Sequence, residues 1–570
     1  MTTARFDDVI IGGGSAGCVV ANRLSANGRR RVLLVEAGQD TPPDNTPEEI
    51  LDSYPMPLFF GDRYVWPGLS AAAGRLGNNP AIVKPYEQGR VMGGGSSINV
   101  QAANRGLPRD YDRWRDLGAK GWGWDDVLPY FRKLETDLDY GGLAHGAEGP
   151  IPIRRIRRED WPAFGRAVGE AFAATGLPHR LDQNADFEDG IYPPAFSNRN
   201  DRRVSSAAAY LDNSVRQRGN LTIWTDSQVN RLVMNGACAT QVEITRSNQQ
   251  VVVEAGRVII TAGALQSPAI LLRAGIGSPT ALRDLGIDVQ VALPGVGENL
   301  RDHPALTFCQ FLPPHLRLPM SVRRASFVAL RYSSQVAGAE ASDMYVTASA
   351  RGGWHGLGKR LGLYFLWCNQ PHSAGRVALR SADPTIYPDV DLNLLADKRD
   401  LDRMMDAVRL LARLVVVPTL NAASEDFFPA SFSPRIKRLS RFNRSNKMLA
   451  AILGMMLDVP AAIRHAMVKA ILLNGKAFAD ILSDDAALED FVRRSVFGVW
   501  HPSGTCRMGD PSDPMAVVDS AGQVIATENL YVADASVMPR LPTANTNIPT
   551  IMIAEKISET LLRGAEDRFA

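Results

Sequence analysis

Phe6-Asp7-Asp8-Val9-Ile10-Ile11-Gly12-Gly13-Gly14-Ser15-Ala16-Gly17 opens the chain, and Arg31-Val32-Leu33-Leu34-Val35-Glu36 completes the same unit. Residues 6–11 read as a strand with an apolar end, 18–24 as a helix and 31–35 as a second strand. Between the first strand and the helix lies G-x-G-x-x-G, at Gly12, Gly14 and Gly17. Gly12 permits the tight turn, Gly14 lets the backbone approach a pyrophosphate, and Gly17 lets helix and strand pack closely. Free N–H groups at the helix start suit the phosphates. Glu36, at the end of the second strand, is placed to accept hydrogen bonds from a ribose diol and would repel a 2′-phosphate. A dinucleotide other than NADP is therefore expected. The motif does not separate FAD from NAD.

The rest of the chain bounds the problem. Its 570 residues suffice for two joined domains. The 63 basic and 61 acidic side chains leave a net charge of +2, which gives no electrostatic reason to expect nucleic acid or an anionic membrane as partner. The run Arg154-Arg155-Ile156-Arg157-Arg158 reads as a solvated face. The five cysteines are odd in number and widely spaced, and the eight histidines contain no His-x-x-x-His pair. A metal-free protein in a reducing, cytoplasmic compartment is expected. No signal peptide is visible, because Val9-Ile10-Ile11 leads straight into the glycine turn. Residues 448–457 form the most hydrophobic later stretch, yet it is too short to span a bilayer. A buried helix or a lid over a pocket is expected there. The other reading is contact with a membrane surface.

Four more segments carry chemistry. Gly89-Arg90-Val91-Met92-Gly93-Gly94-Gly95-Ser96-Ser97-Ile98-Asn99 lets backbone run against a flat ligand. Thr261-Ala262-Gly263-Ala264-Leu265-Gln266-Ser267-Pro268 follows the apolar residues 258–260 and leads into a helix over 269–273, a second strand-turn-helix. His501-Pro502-Ser503-Gly504-Thr505 follows a strand-like run, 496–500. Tyr531-Val532-Ala533-Asp534-Ala535-Ser536 precedes Pro542-Thr543-Ala544-Asn545-Thr546-Asn547 and a helix read over 550–562. No repeat or low-complexity linker interrupts them. Residues 310–360 show the weakest periodicity, and loops over an entrance are expected there.

These five segments, in this order, resemble the glucose–methanol–choline (GMC) oxidoreductase family over almost the whole chain. The resemblance implies FAD and a fold of two parts: an α/β, Rossmann-like FAD-binding domain, and an α+β substrate domain whose antiparallel sheet roofs the flavin. The expected division is 1–155, 205–305 and 500–570 for the FAD domain, with 156–204 and 306–499 for the substrate domain. It also implies a catalytic pair, His501 and Asn545. Cofactor contacts are expected at Gly12, Gly14, Ser15, Ala16 and Gly17; at Glu36 and Ala37; and at Trp66, Arg90, Gly94, Gly95, Ser97 and Asn99. Further contacts are expected at Val229, through its backbone to adenine, and at Asp534, Ala535 and Thr546. Family members that hold FAD covalently carry a histidine at or near Ile98, so the flavin is expected to be non-covalent here.

Tyr86-Glu87-Gln88-Gly89-Arg90, Asn104-Arg105-Gly106-Leu107-Pro108-Arg109-Asp110-Tyr111 and Trp367-Cys368-Asn369-Gln370-Pro371 are similar to the branch of the family that oxidises furan-ring alcohols such as hydroxymethylfurfural. By that similarity Trp367 and Trp500 are pocket walls. Phe365, two residues from Trp367 on one strand, faces the same side. It stands where that branch carries a smaller residue, so it is expected to narrow the pocket.

Alcohol oxidation removes a proton from oxygen and a hydride from carbon. A histidine titrates near working pH and suits the proton; His501 is the candidate. Asn545 can hold the alcohol oxygen by its amide. The expected activity is oxidation of a primary aryl or furanic alcohol to the aldehyde, and on to the acid through the hydrated aldehyde. O2 is the expected acceptor, giving H2O2. A dehydrogenase passing electrons to a quinone, or a flavin-dependent hydroxynitrile lyase, uses the same motifs. The expected partners are a small alcohol and O2, with no nucleic acid, no metal and no membrane span.

Overall fold

The computed structural model describes residues 4–566 except 56–57, 59–60, 77–78, 320, 421–426, 431–437, 442, 461, 465 and 467–477. Two seven-stranded sheets organise it. The first runs in the order Leu221–Trp224, Val32–Val35, Ala4–Ile11, Gln249–Ile260, Cys238–Arg246, Ser227–Asn235, with Leu530–Val532 also on Gln249–Ile260. Its centre is parallel. Val9, Ile10 and Ile11 lie beside Val258, Ile259 and Ile260 on one side and Leu33, Leu34 and Val35 on the other. These strands are buried on both faces, which explains why they read as unbroken apolar runs. Gln249–Ile260 is long enough to serve two partners: its first half pairs antiparallel with Cys238–Arg246, and its end pairs parallel with Leu530–Val532. Strands far apart in sequence thus end at one edge, where the glycine turn begins.

Helix Ser15–Ser25 leaves that edge. Gly12 has φ +104°, and a Cβ there would sit 2.7 Å from the Thr261 carbonyl oxygen. A Cβ on Gly17 would lie 1.8 Å from the Gly12 carbonyl oxygen, so helix and turn meet only because both are glycine. The C-terminal helix, Asn547–Glu566, packs on this helix. Buried Glu555 joins them, accepting from Arg23 Nε at 2.9 Å and from the Tyr210 hydroxyl at 2.9 Å.

The second sheet is antiparallel throughout: Phe427–Pro429, Pro304–Phe311, Leu361–Cys368, Met344–Ser349, Ser326–Tyr332 and Gly190–Tyr192, with Phe497–Gly498 also on Pro304–Phe311. Helix Lys398–Val415 covers one face with Leu401, Met404, Val408 and Leu411, a stripe at helical spacing. The other face roofs a cavity.

Residues 310–360 are for the most part loops and turns, and between them they supply Ser326–Tyr332 and Met344–Ser349 to the roof. Met344, Val346 and Ala348 enter the core while Tyr345, Thr347 and Ser349 line the cavity, so that strand alternates; Phe327 to Tyr332 are all buried, and that strand shows no alternation of exposure. Residues 448–457 do fall on a helix, Arg444–Met456, but it is not a buried one. Only Ala450 and Gly454 of it are buried; its large apolar side chains face outward. The apolar run 496–500 forms a strand only at Phe497–Gly498.

Candidate active site

A cavity of about 1140 Å3 lies between the glycine loops and the roof. Its floor includes Ser15, Gly95, Asn99, Ala535 and Thr546, all expected cofactor contacts. His501 and Asn545 reach it from the loops after Phe497–Gly498 and before Asn547–Glu566, and Phe365, Trp367 and Trp500 wall it. Five distant segments therefore converge on one space.

The glycine loops form a cradle. A Cβ built on Gly94 would meet Gly14 Cα at 2.8 Å, so the two loops touch backbone to backbone. Cβ atoms on Gly95 and Gly263 would meet nothing within 4 Å; they would project into open space that a flat ligand can use. Helix Ser15–Ser25 has no side-chain cap, which leaves its first N–H groups for an anion. The Glu36 carboxylate accepts from Gly13 N–H and Gly38 N–H, each at 2.8 Å. Burial pushes its pKa up to about 7, although those two N–H groups and Arg90 oppose the rise. Its remaining lone pairs can accept a ribose diol. Beside it, Arg90 Nε donates to the Ala37 carbonyl at 3.2 Å, and the Arg90 guanidinium lies 5.0 Å from the centre of the Trp66 ring. These features fit an extended dinucleotide.

Other expected contacts sit in supporting positions. Ser97 is fully buried and donates to the Met92 carbonyl at 2.7 Å. Ala16 is buried inside the first helix. Asn99 accepts Arg203 Nη1 at 2.9 Å through Oδ1, while Ser15 donates to Asn547 Oδ1 at 2.7 Å. Buried Asp534 accepts from Gly263 N–H at 2.8 Å, Ser267 Oγ at 2.6 Å and Ser536 N–H at 2.8 Å. It ties the two loops together; its neighbour Ala535 faces the cavity. Val229 is half-buried on Ser227–Asn235, opposite Ile244.

At the far side of the floor, Asn545 Nδ2 lies 2.9 Å from His501 Nε2. The other His501 nitrogen, Nδ1, lies 2.8 Å from Nδ1 of His303, a residue the sequence reading passed over. His303 Nε2 faces the Asn369 and Pro542 carbonyls at 3.0 and 3.3 Å. Carbonyls only accept, so His303 Nε2 carries the proton and, in the neutral ring, its Nδ1 is an acceptor. His501 Nδ1 must then be the donor, which leaves Nε2 unprotonated, its lone pair accepting from Asn545 Nδ2 at the cavity; this tautomer follows from the network. Burial pushes the His303 pKa down to about 4. Burial, then His303, holds His501 well below the usual histidine range.

Asp302, also overlooked, anchors the pair: Oδ1 accepts His303 N–H at 2.8 Å and His501 N–H at 3.0 Å, and Oδ2 accepts the Tyr86 hydroxyl at 2.5 Å. Burial raises its pKa to about 7. The available signal was Asp302-His303 directly ahead of an apolar strand.

The aromatic walls are fixed too. Trp367 Nε1 donates to Asn369 Oδ1 at 2.9 Å, and its ring lies 4.6 Å from that of Tyr345. Trp500 has φ +58°, a conformation that costs a bulky residue ~1–3 kcal/mol. Its indole donates to Glu87 Oε2 at 3.0 Å. Phe365 faces the cavity with Trp367, one pleat repeat along the strand.

Comparison with known proteins identifies the family of the chain. The GMC oxidoreductase family model matches residues 6–305 in its N-terminal part and 371–554 in its C-terminal part. The chain is 44% identical to 5-(hydroxymethyl)furfural oxidase of Methylovorus sp. (strain MP688), covering 99% of this chain and 100% of that one. It is 30% identical to an oxygen-dependent choline dehydrogenase of Photobacterium profundum, over 98% of this chain and 93% of the relative. Among solved structures, pyridoxine 4-oxidase from Mesorbium loti superposes with a TM-score of 0.78 at 28% identity, covering 98% and 99% of the two chains. This chain belongs to the GMC oxidoreductase family and is an FAD-dependent oxidoreductase that acts on alcohols.

Proposed function

We propose that the protein oxidises a primary alcohol on an aromatic or furan ring to the aldehyde, and the hydrated aldehyde to the acid, with O2 as acceptor and H2O2 as product. The observation that carries the reading is the unprotonated His501 Nε2, which accepts from the Asn545 amide at 2.9 Å in a cavity walled by Phe365, Trp367 and Trp500. Flat aromatic walls suit a flat ring. The name of the relative at 44% identity supports the furanic substrate, and the names of both curated relatives support oxygen use.

Non-covalently bound FAD supplies a hydride acceptor at its N5. Ile98 and Asn99 offer no nucleophile for a covalent link, which supports the non-covalent reading. Glu36 and the Gly12–Gly17 turn would hold the adenosine and pyrophosphate end, with Arg90 and Trp66 beside them; Gly95, Asn99, Ala535 and Thr546 would line the flavin end. A bound alcohol oxygen would take the Asn545 N–H that is otherwise directed at His501 Nε2, which frees that lone pair to receive the alcohol's proton. His303 accepts the N–H on the opposite side of that ring, so the positive charge that develops on His501 is shared with a hydrogen-bonded partner. Because Asn545 is neutral, no fixed charge competes for the proton. A gem-diol presents the same hydroxyl to the same pair, which accounts for the second oxidation. Residues 1–155, 205–305 and 500–570 hold the cofactor in this reading, and 156–204 with 306–499 shape the substrate space. Five unpaired cysteines suit a reducing, cytoplasmic setting.

The test is oxygen uptake and peroxide release by the flavin-loaded protein with hydroxymethylfurfural, 4-methoxybenzyl alcohol, choline and glucose. Turnover confined to the ring alcohols is expected. Turnover only with choline or glucose removes the proposed substrate class, and turnover only with an added quinone removes O2 as acceptor.

A further inference from the structure

Helix Arg444–Met456 is amphipathic in reverse. Met448, Leu449, Ile452, Met455 and Met456 recur at helical spacing within an arc of roughly 120°, and each is between 44% and 68% exposed. With Ile463 they make six of the sixteen large apolar side chains that are exposed among the described residues, gathered within sixteen positions. The opposite side of the helix is small and seated. A Cβ on Gly356 would meet Ala451 Cα at 2.9 Å, and one on Gly454 would meet the Gly356 backbone at 2.9 Å. Ala450 and Leu457 join the cluster of Leu361 and Leu363, against which Phe365 packs. The helix therefore cannot turn its apolar face inward without lifting its small residues off Gly356.

The charge of this segment is one-sided in sequence, although Arg441 pairs with Asp62 at 3.2 Å. From residue 427 to 457 the sequence holds six cations (Arg435, Lys437, Arg438, Arg441, Arg444 and Lys447) and no carboxylate. Arg438, Arg441, Arg444 and Lys447 are exposed. The next carboxylate, Asp458, is held by Arg317 and by Arg360 at 2.7 Å. The balanced net charge of the chain conceals this local excess. A second copy meeting the same face would bring cations onto cations. An anionic lipid surface offers acyl chains to the apolar arc and headgroup charge to the basic end. No helix among the described residues is long and apolar enough to cross a membrane, so the contact is one of lying on the surface.

We propose that helix Arg444–Met456 docks the protein on an anionic bilayer surface, with Met448, Leu449, Ile452, Met455 and Met456 inserted at the headgroup boundary and Arg438, Arg444 and Lys447 on the headgroups. This goes beyond the alcohol oxidation proposed above and does not depend on it. Docking would set the substrate wall at Phe365 one helix away from the lipid.

The experiment is co-sedimentation of the flavin-loaded full chain with vesicles of phosphatidylcholine alone or mixed with phosphatidylglycerol. Binding to the mixed vesicles is expected, weakened about tenfold in strong salt as screening shortens the reach of the cations. The variant Leu449→Asp/Ile452→Asp/Met455→Asp is expected to lose the binding at least tenfold, and Arg444→Glu/Lys447→Glu to lose it on anionic vesicles, both with flavin content and turnover unchanged. Absence of binding to mixed vesicles overturns the proposal, as does binding that survives the triple aspartate change. A concentration-dependent dimer in sedimentation velocity that the triple change dissolves, without vesicle binding, assigns the face to a second copy and overturns it too.

Discussion

His303 Nδ1 and His501 Nδ1 are 2.8 Å apart, and because His303 spends its own N–H on two backbone carbonyls, it can only accept from His501. The tautomer of the residue facing the substrate is thus set one residue deeper in the protein. His303→Leu removes the acceptor and frees His501 to carry its proton on Nε2, where it cannot act as base. His303→Asn can present an oxygen near the lost Nδ1. Stopped-flow flavin reduction is expected to slow about 10–100-fold in the leucine variant, a fraction of a general base's worth, and to recover in large part in the asparagine variant. Equal losses in both would assign His303 a packing role alone.

Protonation supplies a second check. Burial and His303 hold His501 well below the ordinary histidine range, so its neutral form persists into acid. The flavin-reduction rate is expected to stay level from about pH 8 down to about pH 6, where a free histidine is already mostly charged. It falls only below that. Asp302, pushed up by burial to about 7, titrates in the same window, so the profile is compared with that of Asp302→Asn: a rate that still halves at about pH 6.5 in that variant would contradict the buried, neutral base.

Glu36 is the acidic group at the adenosine end, and two backbone N–H groups hold its carboxylate in place. Glu36→Gln keeps one acceptor oxygen but brings an NH2 against one of those donors. Weaker FAD retention is expected, about tenfold or more in dissociation constant, in line with the ~1–3 kcal/mol cost of an unsatisfied buried donor. Ultrafiltration followed by flavin fluorescence measures it. Unchanged retention would move the ribose elsewhere.

Phe365 fills space between the roof and the cavity. Phe365→Ala is expected to raise kcat/KM for a naphthyl alcohol about tenfold, by opening room for a second ring, and to leave benzyl alcohol within a few-fold. No gain for the larger alcohol would mean that another wall sets the limit.

Much of this was legible in the chain. Gly12, Gly14, Gly17 and Glu36 announced their fold because Gly12 and Gly17 answer local steric demands that no other residue meets, and Gly14 keeps the backbone bare between them. Phe365 and Trp367 could be paired because a strand has period two. His303 and Asp302 were not legible, since their roles depend on a contact across 198 residues that no spacing encodes. The roof strand Ser326–Tyr332 was unread because burial on both faces erases alternation, and Met344–Ser349, though it alternates, is only six residues long. Helix Arg444–Met456 was read inside out: composition identified it as apolar, and only the seat of Ala450 and Gly454 against Gly356 shows which side faces water.

The central claim is that His501 takes the alcohol's proton while the electrons enter the flavin. Anaerobic mixing of hydroxymethylfurfural with the flavin-loaded wild type and with His501→Ala, followed by flavin absorbance in a single turnover, tests it most directly. The account predicts rapid bleaching in the wild type and bleaching slowed about 10²–10⁴-fold in the variant, with recovery of colour when air is admitted. Equal rates of bleaching in the two proteins would contradict it.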